Sequence, residues 1–203
     1  MSPRRRIASA AVALATLIPL AVAQTGQPAG QPAAGPQTYQ IDPVHSSNWF
    51  RIRHLNVANF YGRFNETAGT IVVDDANPAA CSLEAQVKVD SVDTHNADRD
   101  KHLKSPDFFD APQFPLITFK SSGPFRKAGP ETYEVKGDLT LHGVTRPLAL
   151  ELVQTGVGPG MKGETRAGFE TAFEIKRSDF GMKNMLGLGD DVRLNISVEA
   201  VRK

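Results

Sequence analysis

The five histidines of this chain are His45, His54, His95, His102 and His142. A zinc site needs several such ligands at spacings that a helix or strand can bring together. His95 and His102 stand seven apart across a predicted helix start, with no cysteine near them. His45 and His54 are expected on adjacent turns at a barrel mouth. Hydrogen-bonded structural histidines are the simpler expectation, and no metal ligand set is assigned. Nucleophilic catalysis needs a nucleophile beside a base. Ser46 and Ser47 follow His45, but neighbours in sequence are not partners in space. The chain has no Gly-x-Ser-x-Gly elbow, and no glycine-rich phosphate loop opens a helix. Gly181, Gly187 and Gly189 sit among Met182, Met185 and Leu186 ahead of a strand. The expectation is therefore a protein without catalytic residues, and Cys81, the single cysteine, is expected to be a small buried residue.

Arg99 and Asp100 carry more information. They lie in Asn96–Lys104, which has the marks of a short helix. Asn96 or Thr94 can cap it, Asp98 and Asp100 suit its first turns, and Lys101 and Lys104 suit its end. Ser105-Pro106 stops it. Aromatic segments flank this helix, so it is expected to lie against the end of a larger apolar structure. Asp93, Arg99 and Asp179 are expected to tie loops together there by charge-assisted hydrogen bonds.

The elements that would position these residues are strands. Apolar residues alternate at Leu83, Ala85, Val87 and Val89, and at Tyr133, Val135, Gly137, Leu139 and Leu141. The same period of two runs through Leu148, Leu150 and Leu152, through Ala167, Phe169, Thr171, Phe173 and Ile175, and through Val192, Leu194, Ile196 and Val198. Phe50 and Ile52, then Phe60, Gly62 and Phe64, and Ile117 with Phe119 add shorter stretches. Turn-forming clusters such as Asp74–Pro78 and Gly156–Gly160 separate them. About eight strands with one apolar face each describe an all-β, antiparallel fold, and closure into a barrel removes its edges. A barrel of eight strands has room for packed side chains or one slender ligand. Phe50, Phe60, Phe64, Phe119, Phe169 and Phe173 fall on apolar strand faces, and Gly62 and Gly137 on those faces are expected to leave space. A long apolar molecule is the expected guest.

The first residues have the layout of an export signal. Arg4, Arg5 and Arg6 precede an uncharged stretch that ends in Ala21-Val22-Ala23. Residues 1–23 are read as a cleaved signal peptide. The arginines also fit twin-arginine export loosely. Removing these residues takes three of 23 basic residues and none of the 22 acidic ones, leaving a net charge of −2. No nucleic-acid partner is expected from such a balance. Residues 24–38 are uncharged and rich in Gln, Pro, Gly and Ala, the composition of a disordered linker. The domain is expected to span 39–203.

Several stretches resemble the YceI-like proteins. They are Tyr39-Gln-Ile-Asp42-Pro43-x-His45-Ser46, Phe50-x-Ile-x-His54, and Gly62-x-Phe64 with Gly69. A central stretch, Val92-Asp93-Thr94-x-Asn96-x-x-Arg99-Asp100-x-His102-Leu103-Lys104-Ser105-Pro106-Asp107-Phe108-Phe109, is similar to that family's signature. Phe114-Pro115-x-Ile117-x-Phe119, Gly137 to Thr145 and Arg177-Ser178-Asp179-Phe180-Gly181 follow in the family's order. The resemblance implies a lipocalin-like antiparallel barrel in the periplasm, with a polyisoprenoid, isoprenoid quinone or related lipid in its tunnel. It implies no catalytic activity, no cofactor other than that lipid, and homodimers among its members. Contact with a membrane surface is a further expectation. On this basis Phe50, Ile52, Phe60, Phe64, Phe119, Leu139, Phe169 and Phe173 are candidates for the lipid tail. His45, Asn48, Arg99 and His102 are candidates for its head group. Asn48 departs from the family pattern, where an apolar residue is usual, and the Met182–Asp191 stretch is a candidate cover for the mouth. The alternatives are an accessory to quinone-linked redox chemistry or stress response, and a scaffold with a filled barrel.

Overall fold

The structure is a computed structural model that describes residues 35–182 and 186–203. The expected signal segment, the first part of the expected linker and Met185 lie outside the described residues. Eleven strands form one antiparallel sheet. They are β1 (Gln37–His54), β2 (Ala58–Phe64), β3 (Thr67–Val73), β4 (Ser82–Lys88), β5 (Val92–Asp93) and β6 (Leu116–Ser121). After these come β7 (Arg126–Lys127), β8 (Thr132–Leu141), β9 (Val144–Pro159), β10 (Thr165–Lys176) and β11 (Leu188–Arg202). Eight of them close a ring in the order β1-β3-β4-β6-β8-β9-β10-β11, and β11 pairs back onto β1. The expected all-β antiparallel barrel is thus present, with one α-helix among the described residues, α1 (Ala97–Leu103).

The ring is uneven, and the unevenness shapes its inside. β1 pairs with β3 through Gln37–Gln40 and with β2 through Asn48–His54. β2 and β3 therefore act as one bent strand along β1. Among the described residues, the outer edge of β2 carries only β5, at Arg63 and Phe64. On the other side, β9 and β10 pair from Val153/Glu170 to Pro159/Thr165. Beyond that they part, and an open surface groove lies beside Pro147, Leu148 and Glu174–Lys176.

A shift in β1 sets which of its residues face inward. Asp42 lies opposite Glu199 and Ser47 opposite Ser197, so β1 carries three extra residues there. An odd insertion reverses a period of two. Tyr39 and Ile41 are buried before it, and Asn48, Phe50 and Ile52 after it.

Three boundaries differ from the sequence expectation. β1 begins at Gln37, so the last residues of the expected linker are strand. β9 runs through Gly156-Val157-Gly158-Pro159, which the sequence marks as a turn. Pairing with β10 holds these glycines extended, and a bulge opposite Gly168 and Phe169 takes up Thr155. In the Met182–Asp191 stretch, Leu188 onward is β11, with Leu188 paired to His54.

Two hydrophobic clusters fill the barrel. The larger runs from Tyr39, Ile71, Tyr133, Val135, Leu152 and Phe169, which close one end, to Phe180 and Met182. Tyr133 and Val135 are fully buried there. Tyr133 donates from its hydroxyl to Asp75 Oδ1 at 2.6 Å, and Lys127 Nζ donates to the same oxygen at 2.6 Å. Burial, then the bond to Asp75, pushes the Tyr133 phenol up to about 12. The smaller cluster, around Phe50, Ile52, Phe64, Val92 and Val192, lies towards the other end, beside Leu103 of α1.

Candidate functional site

Between the closed end and α1 the barrel holds a cavity of about 590 Å³. Its wall takes residues from every strand of the ring. The period of two explains this, because each strand turns one apolar row inward. All eight expected tail residues line it: Phe50 and Ile52 of β1, Phe60 and Phe64 of β2, Phe119 of β6, Leu139 of β8, and Phe169 and Phe173 of β10. Ile41, Ile71, Leu83, Leu150, Leu152 and Val198 also line it and were not singled out from the sequence as tail residues. Their alternation is visible in the sequence, but which strands face one lumen depends on closure.

Gly62 and Gly137 do not add empty space as expected. A Cβ at Gly62 would lie 2.3 Å from Cζ of Phe50, and one at Gly137 would lie 2.4 Å from Cζ of Phe119. The room they leave is taken by these two rings, which lie against the wall. Aromatic side chains thus pave the lumen without closing it.

The four expected head-group residues fall in three different places. Asn48 and Thr67 are buried on the lumen wall, and Asn48 Nδ2 donates to Thr67 Oγ1 at 2.9 Å. Arg99 and His102 line the cavity at its α1 end. Asn96 caps α1 by accepting from the Arg99 N–H at 2.9 Å, which selects Asn96 over Thr94 as the cap. The Arg99 guanidinium is held by Thr94, with Nε donating to the hydroxyl at 2.8 Å and Nη2 to the carbonyl at 2.6 Å. It stacks over the Phe60 ring at 4.4 Å. Thr94 in turn donates from its backbone N–H to Asp100 Oδ1 at 2.9 Å. The His102 ring packs edge-on against Phe108, 5.0 Å between centroids, and its Nε2 lies 3.2 Å from Asp107 Oδ2.

His45 is not part of the lumen. It sits on the outer bulge of β1, more than half exposed, with Nδ1 2.9 Å from Asp42 Oδ2. Asp42 also accepts from Val44 N–H at 3.0 Å and from Arg166 Nη1 at 2.9 Å, and Arg166 bonds Glu199 as well. The His45 bond first, and the other donors with it, hold the Asp42 carboxyl at about 2. Asp42, His45 and Glu199 bring their donor atoms within 4.8 Å of one another. The guanidinium of Arg166 occupies the position a metal would take, so the group is an ion-pair cluster that pins the bulge to β10 and β11.

The loops expected to be tied by Asp93, Arg99 and Asp179 are tied differently. Asp93 accepts from Arg63 and Asn65, and its carboxyl is held well below the usual range, first by the His95 backbone N–H. Asp179 contributes its carbonyl, which accepts from Arg146 Nε at 2.9 Å. It belongs to a single 3₁₀ turn, Arg177–Phe180, at the α1 end of the barrel. Arg177 is buried there, lines the cavity and donates from Nε to the Gly189 carbonyl at 3.0 Å. Burial lowers its pKa. Met182 is buried and Leu186 fully exposed, and both lie on the cavity wall. Leu55 and Val57, in the β1–β2 turn, are exposed as well, and Leu55 N–H donates to the Gly187 carbonyl. This end is the mouth.

The lumen therefore offers a long apolar wall, a few neutral polar groups part-way along it, and cationic groups at the mouth. Among the described residues that line it there is no serine or cysteine.

Comparison with known proteins agrees with this shape. The YceI-like domain is matched over residues 39–200. Protein YceI of Escherichia coli O157:H7 is 43% identical over 168 residues, covering 81% of this chain and 87% of that protein. A UPF0312 protein of Pseudomonas aeruginosa is 38% identical over 189 residues, covering 93% of this chain and 98% of the relative. Among solved structures, the Campylobacter jejuni YceI protein superposes with a TM-score of 0.65 at 36% identity, covering 74% of this chain and 90% of that one. A polyisoprenoid binding domain from Saccharophagus degradans has the same fold, with a TM-score of 0.64 at 14% identity, covering 81% of this chain and 98% of that chain.

Proposed function

The chain belongs to the YceI-like family, and from that premise we propose that its barrel is a non-catalytic carrier for one long-chain isoprenoid lipid. The observation that carries this is the lumen itself, a cavity of about 590 Å³ walled by aliphatic and aromatic side chains. A filled scaffold would have no such void. Its size lies within the usual range for small-molecule sites. Each buried methylene contributes about 0.8 kcal/mol, so an apolar chain binds without directional contacts. The polyisoprenoid named for the Saccharophagus domain is a chain of this kind. The layout of residues 1–23 supports export to the periplasm, where a hydrocarbon chain crossing water needs a protein to shield it.

The test is uptake of geranylgeraniol by the whole protein and by two variants. Phe64→Arg and Phe173→Arg each put a charge on the wall, and burying an unpaired charge is costly. Both are expected to abolish uptake while the far-ultraviolet circular dichroism remains that of a β-barrel. Unchanged binding in the folded variants would place the guest outside this lumen.

A further inference from the structure

The lumen carries a polar belt at one level, and nothing in holding a bare hydrocarbon calls for it. Thr171 of β10 lies directly opposite Ile196 of β11, and Ile196 lies opposite Asn48 of β1. Asn48 reaches Thr67 of β3 by its side-chain amide. Thr171, Ile196, Asn48 and Thr67 all line the cavity. Along β10 the belt falls between Phe169 on the closed side and Phe173 on the mouth side.

The hydroxyl oxygen of Thr171 is buried and meets no hydrogen-bond partner among the described residues. A valine would fill the same space without an unpaired hydroxyl, so this group costs the empty barrel stability. The Asn48–Thr67 contact uses one donor and one lone pair. A side-chain amide also has a carbonyl oxygen and a second N–H, and the Thr67 hydroxyl has its own proton to donate. The belt so presents donors and acceptors from β10, β1 and β3, while Glu170, which also borders the cavity, turns its carboxylate to the exposed Ser197 hydroxyl. A neutral oxygen can pair there, whereas an anion would lose its hydration for neutral partners only.

The geometry points to a subsite at Asn48, Thr67 and Thr171 for a neutral oxygen-bearing group of the ligand, a hydroxyl or a ring carbonyl of the kind isoprenoid alcohols and quinones carry. The head group then lies inside the barrel, and the tail follows the apolar wall from Phe173 towards the mouth. This rests on the lumen being an isoprenoid site, and it selects among isoprenoids. Arg99 and His102 then guard the mouth rather than grip the head group.

Three probes with one tail test it on the full chain: geranylgeraniol, geranylgeranyl phosphate, and the matching hydrocarbon without oxygen. Wild type is expected to bind the alcohol more tightly than the hydrocarbon. Thr171→Val is expected to weaken alcohol binding by about fivefold and leave hydrocarbon binding unchanged. Thr171→Ser, which keeps the hydroxyl, is expected to keep the preference. The thermal midpoint of ligand-free Thr171→Val should equal or exceed that of wild type, which shows that the variant folds. Equal affinity of Thr171→Val and wild type for the alcohol would overturn the subsite, as would equal losses for alcohol and hydrocarbon. Tightest binding of the phosphate would overturn it too, by moving the head group to the cationic mouth. Failure of wild type to bind any of the three would instead sink the reading of the lumen as an isoprenoid site.

Discussion

Gly62 stands opposite Phe50 across the β1–β2 ladder, and the ring of Phe50 lies in the space where a side chain would be. Gly62→Ala is expected to turn that ring into the lumen, cost about 1–3 kcal/mol and weaken isoprenoid uptake. Urea unfolding and probe binding on the same preparation check both effects. Asp42 makes a different kind of prediction. Its folded pKa of about 2 lies below the ordinary carboxylate value of about 3.9. A group depressed in this way adds stability above the unfolded value, and that stability is lost as pH falls towards the folded one. Asp42→Asn is expected to melt at lower temperature at neutral pH and to lose less stability than wild type between about pH 4 and pH 2. Thermal melts across that window decide it, and parallel curves for the two proteins would contradict the assignment. The residue types were legible in the sequence here, but not their places. The resemblance makes His45 a head-group candidate, whereas the extra residues in β1 carry it outside.

At the scale of elements, alternation made the strands legible because each has one wet face and one dry face. It did not show the reversal in β1, where an odd number of extra residues exchanges the faces between Ile41 and Asn48. Nor did it show that β9 continues through two glycines, since local composition is overridden by pairing with β10. Helix α1 was legible to within a residue or two, because capping is a local interaction. Its cap also positions Arg99 over Phe60 at the mouth. Asn96→Ala is expected to cost about 1 kcal/mol and to speed ligand release more than it changes the fold. Stopped-flow displacement of a bound fluorescent isoprenoid reads that release rate. A rate equal to wild type would show that α1 plays no part in retaining the ligand.

The described residues form a barrel sealed at one end by Tyr133, Val135, Phe169 and their neighbours and open at the other beside α1. Closure was only one of the arrangements that eight alternating strands allow, so the lumen could not be derived from any single stretch of sequence. Its volume sets a length limit. Affinity is expected to rise with each added methylene until the tail passes the mouth and then to level off. A series of isoprenoid alcohols of increasing length tests that limit by titration. The central claim, that this lumen holds an isoprenoid, is tested most directly by organic extraction of natively purified protein followed by mass spectrometry. The predicted result is one neutral, oxygen-bearing isoprenoid per barrel. A protein that yields no such lipid and takes up none when it is offered would contradict the claim.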